Sequence, residues 1–295
     1  MGKPIIQANK IKKSFKKQEV LKGIDFSVLE GEVIALLGEN GAGKSTLIKI
    51  MNHLMMQSSG QIKIFDRKPE HPKVKSRIGV MLQDNIILHR IKVRELLDLA
   101  RSYYADPISN SELLSLINIE SIKDKLLTDL SGGQKRKVNF ALTLAGNPDL
   151  IFLDEPTANM DAQSRKELWQ IISNLKNQGK TIIVTSHYLE ELENIATRIL
   201  ILQDGVIAYD GTLQELRLLR GEGTISFTTH LKEDHFEKIE DVVSINHQSE
   251  FYSLITRDVN AVLKQLMPMI DELNNLTVQQ TTLNDLLIYF KGENN

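Results

Sequence analysis

The chain has 295 residues, 41% of them apolar and 25% charged, with a formal net charge of −2 and no cysteine. That length allows one or two domains with a sizeable core, and the near-neutral charge excludes a chain built throughout to bind polyanions, so no nucleic-acid partner is expected. The missing cysteine excludes disulfides and cysteine-rich zinc modules and suits a reducing cytosol; no apolar run approaches the roughly 20 residues that span a bilayer.

In chain order, the N-terminus Met1–Ile6 lacks a signal-peptide layout, and Ile6 stands where N-myristoylation wants Ser or Thr. Two strands are predicted over residues 4–11 and 20–29. Six lysines and no acid fall between Lys3 and Lys17, a solvated face or a stretch that steers phosphates. Phe15 lies ahead of the second strand and is either a core ring or one that stacks on a nucleobase.

Val33–Leu37 is an apolar, partly β-branched run, as a buried strand should be. Gly38-Glu39-Asn40-Gly41-Ala42-Gly43-Lys44-Ser45-Thr46 follows, and Leu47–Met51 opens a helix. Strand, glycine-rich loop and helix in that order make a phosphate-binding loop. Glycines let the backbone curl around phosphate oxygens, and the helix N-terminus adds a partial positive charge. Lys44 is placed for the β- and γ-phosphates, and the Ser45 hydroxyl for Mg²⁺. The chain is therefore expected to bind a nucleoside triphosphate.

Short strands are predicted over residues 60–65 and 78–82, the second ending at Gln83, either a ligand at a parallel strand's C-terminal end or a loop opener. Residues 92–145 turn helical, with Val93, Leu96, Leu97 and Ala100 on one face. No strand interrupts them, so an inserted helical subdomain over about 90–145 is expected. It holds Leu130-Ser131-Gly132-Gly133-Gln134, with Ser131 the N-cap of a helix to about Ala145; this is simple capping or a second anion site.

Leu150–Leu153 predicts a buried strand that ends in Asp154 and Glu155. This is either a strand end followed by an acidic turn before Pro156 or a second nucleotide motif, Asp154 holding Mg²⁺ through water and Glu155 polarising the attacking water. A helix over about 161–178 and a buried strand over 181–185 follow. His187, beyond that strand, is either structural or placed to contact a γ-phosphate. Residues 199–209 predict a hairpin turning at Asp204-Gly205, and a helix closes the unit near Arg220.

Gly221-Glu222-Gly223 is expected to be a linker. Beyond it the order is strand 224–229, helix 234–240, strands 242–246 and 251–256, helix 259–270 bent at Pro268, strand 276–280 and an amphipathic segment 283–290. That order is βαββαβ, a small ferredoxin-like α+β module over 221–295. The expected fold is thus an α/β P-loop NTPase core over residues 1–220 with the helical insert, followed by that accessory module.

These residues together resemble the ATP-binding subunit of ABC transporters over about residues 3–220. The phosphate loop Gly38–Thr46 is the first motif. Gln83 matches the glutamine-loop residue, Leu130–Gln134 is the LSGGQ signature unchanged, Leu150–Glu155 the Walker B strand with its catalytic glutamate, and His187 the switch histidine. Phe15 matches the aromatic residue that stacks on adenine. The resemblance implies ATP and Mg²⁺ as ligands, and two copies packed head to tail. Ser131, Gly132, Gly133 and Gln134 of one copy would then complete the ATP site of the other. It also implies integral membrane partners, and a peripheral place at the cytoplasmic face of the membrane. One departure is Ala158-Asn159-Met160-Asp161, where the family usually has Ser-Gly-Leu-Asp or Ser-Ala-Leu-Asp; Asp161 is retained. The closing stretch Thr281–Gly292, with Gln83-Asp84-Asn85 and Val93-Arg94-Glu95, resembles ATPases that serve drug, bacteriocin and polysaccharide exporters.

A soluble ABC-type ATPase of translation or DNA repair is the alternative. Translation types usually carry two such domains, chromosome types long coiled coils, and excision-repair types zinc cysteines; none of these is present. A GTPase or small-molecule kinase leaves LSGGQ unexplained.

Overall fold

The computed structural model describes residues 3–83, 88, 90–186, 189–220 and 223–280. It divides into two compact units, Met1–Asp210 and Gly211–Asn295.

In the first unit, β1 (Pro4–Phe15) and β2 (Gln18–Leu29) form an antiparallel hairpin, and β4 (Ser59–Ile64) pairs with the other side of β1. Both hairpin strands run further toward the turn than their apolar residues predict, because Lys13 pairs with Leu21 and Phe15 with Gln18. The larger sheet has the order β5-β6-β7-β3-β8-β9. Its members are β3 (Val33–Leu37), β5 (Ile78–Met81), β6 (Leu150–Asp154), β7 (Thr181–Thr185), β8 (Arg198–Gln203) and β9 (Val206–Gly211). The pairs β5/β6, β6/β7, β7/β3 and β3/β8 are parallel. Every residue of β3, β6 and β7 is buried, as continuous apolar runs at the centre of a parallel sheet should be. β8 and β9 meet at Asp204 and Gly205, both at positive φ, as a type I′ turn requires.

Helices cover and connect these strands. α1 (Lys44–Met51) buries Leu47, Ile48, Ile50 and Met51, and α2 (Pro72–Lys75) is a single turn. Between β5 and β6 come α3 (Val93–Arg101), α4 (Asn110–Ile117) and α5 (Gly132–Leu144). α6 (Ala162–Asn177) starts at the Asp161 N-cap and α7 is Leu189–Glu193. Ile34, Leu36, Leu47, Ile48, Phe152 and Ile183 share one core with Ile6, Ile11 and Ile24 of the hairpin.

The second unit opens with α8 (Leu213–Arg220). Its sheet, β10 (Gly223–Thr228), β11 (Val242–Gln248), β12 (Phe251–Thr256) and β13 (Asn274–Gln280), is antiparallel in the order β11-β12-β10-β13. The first and third strands are central, which is how split βαβ units interleave. The helix expected over 234–240 is a single 3₁₀ turn, Glu233–His235. Seven residues give little return on the cost of helix nucleation, and Phe236 and Ile239 reach the core without a continued helix. The helix expected over 259–270 breaks: α9 is Val259–Leu266, and Met267–Glu272 is 3₁₀ around Pro268. The linker residues Gly221-Glu222 and the segment 281–295, including the amphipathic stretch 283–290, lie outside the described residues. Among the described residues, no helix is long and apolar enough to cross a membrane.

Candidate active site

The sheet order brings the C-terminal ends of β6, β7 and β3 side by side, and these ends carry most of the predicted site. At the end of β3, Gly38 has φ +147°, and a Cβ there would lie 2.2 Å from the carbonyl oxygen of Leu202. Gly43 caps α1 at φ +106°, where a Cβ would lie 2.8 Å from Leu21 Cδ2. Gly38 therefore excludes a side chain through backbone contact as well as conformation, whereas at Gly43 the contact is with a side-chain methyl and the positive φ is the stronger bar. Gly41 differs: its φ is +86°, yet a Cβ would meet nothing within 4 Å. Glu39, Asn40 and Gly41 form the exposed crest of the loop, Ala42 donates its N–H to the Glu39 carbonyl at 3.2 Å, and Ser45 and Thr46 are half-buried in the first turn of α1.

The Lys44 ammonium donates to the carbonyls of Gly38 (2.7 Å) and Glu39 (2.9 Å). Burial holds its pKa below the ordinary lysine value, against the opposing pull of the Glu155, Asp154 and Glu39 carboxylates. A cation that is held over the loop and partly stripped of water, beside an open crest, fits a polyphosphate.

Asp154 is the last residue of β6 and pairs across to Thr185 of β7. The Thr185 hydroxyl donates to Asp154 Oδ1 at 2.8 Å and accepts the backbone N–H of Glu155 at 2.9 Å. Glu155 turns the chain off the strand in the left-handed region, φ +52°, and is buried. Beside it, the chain around Gln83 is held by its carbonyl, while the residue itself is exposed. His187 lies outside the described residues, as do Asp84 and Asn85.

The Ser131 hydroxyl accepts the Gln134 N–H at 3.3 Å, and the Gln134 side chain accepts the Ser131 N–H at 3.1 Å. This reciprocal capping box satisfies two backbone donors at the start of α5. Cβ atoms built on Gly132 and Gly133 would lie 4.0 Å from the Asn159 carbonyl and from Asp161 Oδ2. The signature therefore packs beside the loop that follows Glu155. The Asp161 carboxyl caps α6 through the Ser164 N–H, and that bond holds its pKa below the usual carboxylate range. An open cleft is lined by Ser131, Gly133, Gln134, Asn159 and Asp161, and no described residue of the phosphate loop lines it.

Phe15 closes β1 with 43% of its surface exposed, and the Lys13 ammonium lies 5.0 Å from its ring centroid. The ring is at the surface, not in the core.

Two residues of this site were not singled out from the sequence. One is Thr185. The other is Arg136 of α5, which is only 3% exposed. Its Nε donates to Pro156 O (2.9 Å), its Nη1 to Leu82 O (3.0 Å) and Gln83 O (3.1 Å), and its Nη2 to Asp154 O (2.9 Å) and Glu155 O. The one available signal was a basic residue inside a helix whose neighbours Val138, Asn139 and Phe140 are buried.

The ABC transporter family profile matches residues 21–158, and a profile described as an AAA domain, putative AbiEii toxin of a type IV toxin–antitoxin system, matches residues 126–193. The linearmycin resistance ATP-binding protein LnrL of Bacillus subtilis (strain 168) is 36% identical over 229 residues, 75% of this chain and 73% of that protein. Nod factor export ATP-binding protein I of Paraburkholderia xenovorans (strain LB400) is 32% identical over 212 residues, 70% of each chain. A solved dimer of MJ0796, a bacterial ABC transporter cassette, superposes with a TM-score of 0.64 at 25% identity, covering 70% of this chain and 98% of that one.

Proposed function

The chain belongs to the ABC transporter ATP-binding proteins, ATPases that power transport, and on that premise we propose that it drives an exporter as a head-to-tail dimer. The names of the two relatives, one a resistance protein and one an export protein, favour export. The observation that carries the reading is the convergence of Lys44, beyond β3, with Asp154 and Glu155, at the end of β6, on either side of β7. A GTPase or kinase is disfavoured because the signature helix packs beside the loop at Asn159–Asp161 that follows Glu155.

In the proposed reaction Lys44 and the loop Gly38–Thr46 hold the β- and γ-phosphates of ATP, and Phe15 stacks on the adenine. Glu155 takes a proton from water as its oxygen bonds the γ-phosphorus and the bond to the ADP oxygen breaks. Mg²⁺, when bound, neutralises charge that develops on the phosphate oxygens. The residues for it would be Ser45, Asp154 and Gln83. One carboxylate with neutral oxygens suits Mg²⁺, which draws its remaining ligands from water and phosphate. His187 is assigned to the γ-phosphate on its position in sequence alone.

Ser131, Gly132, Gly133 and Gln134 are proposed to close the site of a second copy, since their cleft includes none of the described phosphate-loop residues. ATP then forms part of the dimer interface, and its hydrolysis opens it. The opening is proposed to move integral membrane subunits, to which this chain binds from the cytoplasmic face. Glu155→Gln should keep ATP affinity, stop turnover, and accumulate an ATP-bound dimer in size-exclusion chromatography with light scattering. Undiminished turnover removes Glu155 from its role, and a strictly monomeric ATP complex removes the half-site.

A further inference from the structure

We propose that Arg136 is a positioning residue that ties the signature helix to the hydrolytic carboxylate. The proposal rests on the assignment of Glu155 as the base. A guanidinium carries five N–H donors, and Arg136 points them at five backbone carbonyls. These carbonyls belong to two segments only. Leu82 and Gln83 follow β5, and Asp154, Glu155 and Pro156 lead out of β6. The planar fork spans both at once, so the Gln83 segment and the Glu155 segment are fixed relative to each other by one rigid group.

The group is mounted on α5, whose first turn is the capped Ser131–Gln134 signature. A shift of α5 on engaging nucleotide therefore carries both segments with it. The contacts run to the main chain, so they set the path of the backbone around Glu155, which stands in the left-handed region. The guanidinium is buried, which lowers its pKa, while Asp154 and Glu155 oppose that shift. A buried charge so fully hydrogen-bonded is costly to disturb. Lysine keeps the charge but supplies three donors from a point, and cannot bridge two segments with the same geometry.

The test compares the full chain with Arg136→Lys for kcat, KM and equilibrium affinity for a fluorescent ATP analogue. Dimerisation by ATP is scored in a Glu155→Gln background, with and without Arg136→Lys. A misplacement of about 1 Å costs roughly 10²-fold in rate, so kcat should fall on that scale while nucleotide affinity and ATP-induced dimerisation persist. An unaltered kcat overturns the proposal. So does an affinity loss as large as the loss in kcat, which marks general loosening. If the lysine variant does not fold, Arg136→Ala replaces it. Recovery of its kcat by guanidinium chloride over equal sodium chloride supports the proposal, and no recovery overturns it. Turnover by Glu155→Gln alone would instead defeat the assignment of Glu155, and the parent activity shows this separately.

Discussion

Thr185→Val isolates the hydroxyl that joins β7 to the carboxylate strand. Valine keeps the volume and β-branching of threonine, so strand preference is conserved. What is lost is one buried acceptor for the Glu155 N–H and one donor for Asp154 Oδ1. Both partners remain buried, Asp154 at 3% and Glu155 at 9% exposure. Leaving a buried polar group unpaired costs about 1–3 kcal/mol, so two such groups give about 2–6 kcal/mol. The added methyl returns no more than about 0.8 kcal/mol. The expected loss is about 3 kcal/mol, which lowers Tm by about 6–12 °C for a unit of this size. Trp169 is the chain's one tryptophan and lies in the first unit, so its fluorescence follows that unit's unfolding separately from the second. Thr185→Ser keeps the hydroxyl and should lose about 1 kcal/mol at most. A Thr185→Val protein within about 0.5 kcal/mol of wild type refutes the reasoning, as does a serine variant as damaged as the valine one.

Gly38→Ala should weaken both the fold and ATP binding, because strain of about 1–3 kcal/mol adds to a backbone clash with Leu202. Gly41→Ala carries the strain without the clash; equal damage in melting and binding assays contradicts the account. Phe15→Ala removes a stacking surface worth about 1–3 kcal/mol, so ATP affinity should fall roughly 5- to 150-fold with Tm unchanged, while Phe15→Tyr binds normally; calorimetric titration decides. Lys44 titrates lower folded than unfolded, so the unfolded state binds more protons between the two values. Stability of the nucleotide-free protein should therefore rise with pH through the folded value toward the ordinary lysine value. Urea midpoints should show that rise in wild type and not in Lys44→Met, and parallel curves would count against it.

The fold was legible where burial on both faces left little freedom in residue type. β3, β6 and β7 are wholly buried, and their mostly apolar runs predict them. Asp204-Gly205 announces its hairpin because turn chemistry is local. The second unit was less legible in its helices. Phe236 and Ile239 have helical spacing, but two buried side chains are also served by a 3₁₀ turn followed by loop. Pro268 predicts a bend, yet removing one N–H and fixing one φ ends the α-helix at Leu266.

The site divides along the same line. Gly38, Gly43 and Lys44 lie within seven residues, so one local window contains the loop and the lysine that folds back over it. Ser131 and Gln134 satisfy each other across one turn. Thr185 and Arg136 bond to partners 30–31 and 18–54 residues away, brought near only by strand order. Most of those bonds end on main-chain groups, which every residue type carries. Thr185 with Asp154 is the one complementary side-chain pair among them, and a threonine at the end of an apolar run does not announce it. The carboxylate proposed as the base stands in a motif of its own, while the two side chains that hold its backbone emerge only once β6, β7 and α5 are placed together.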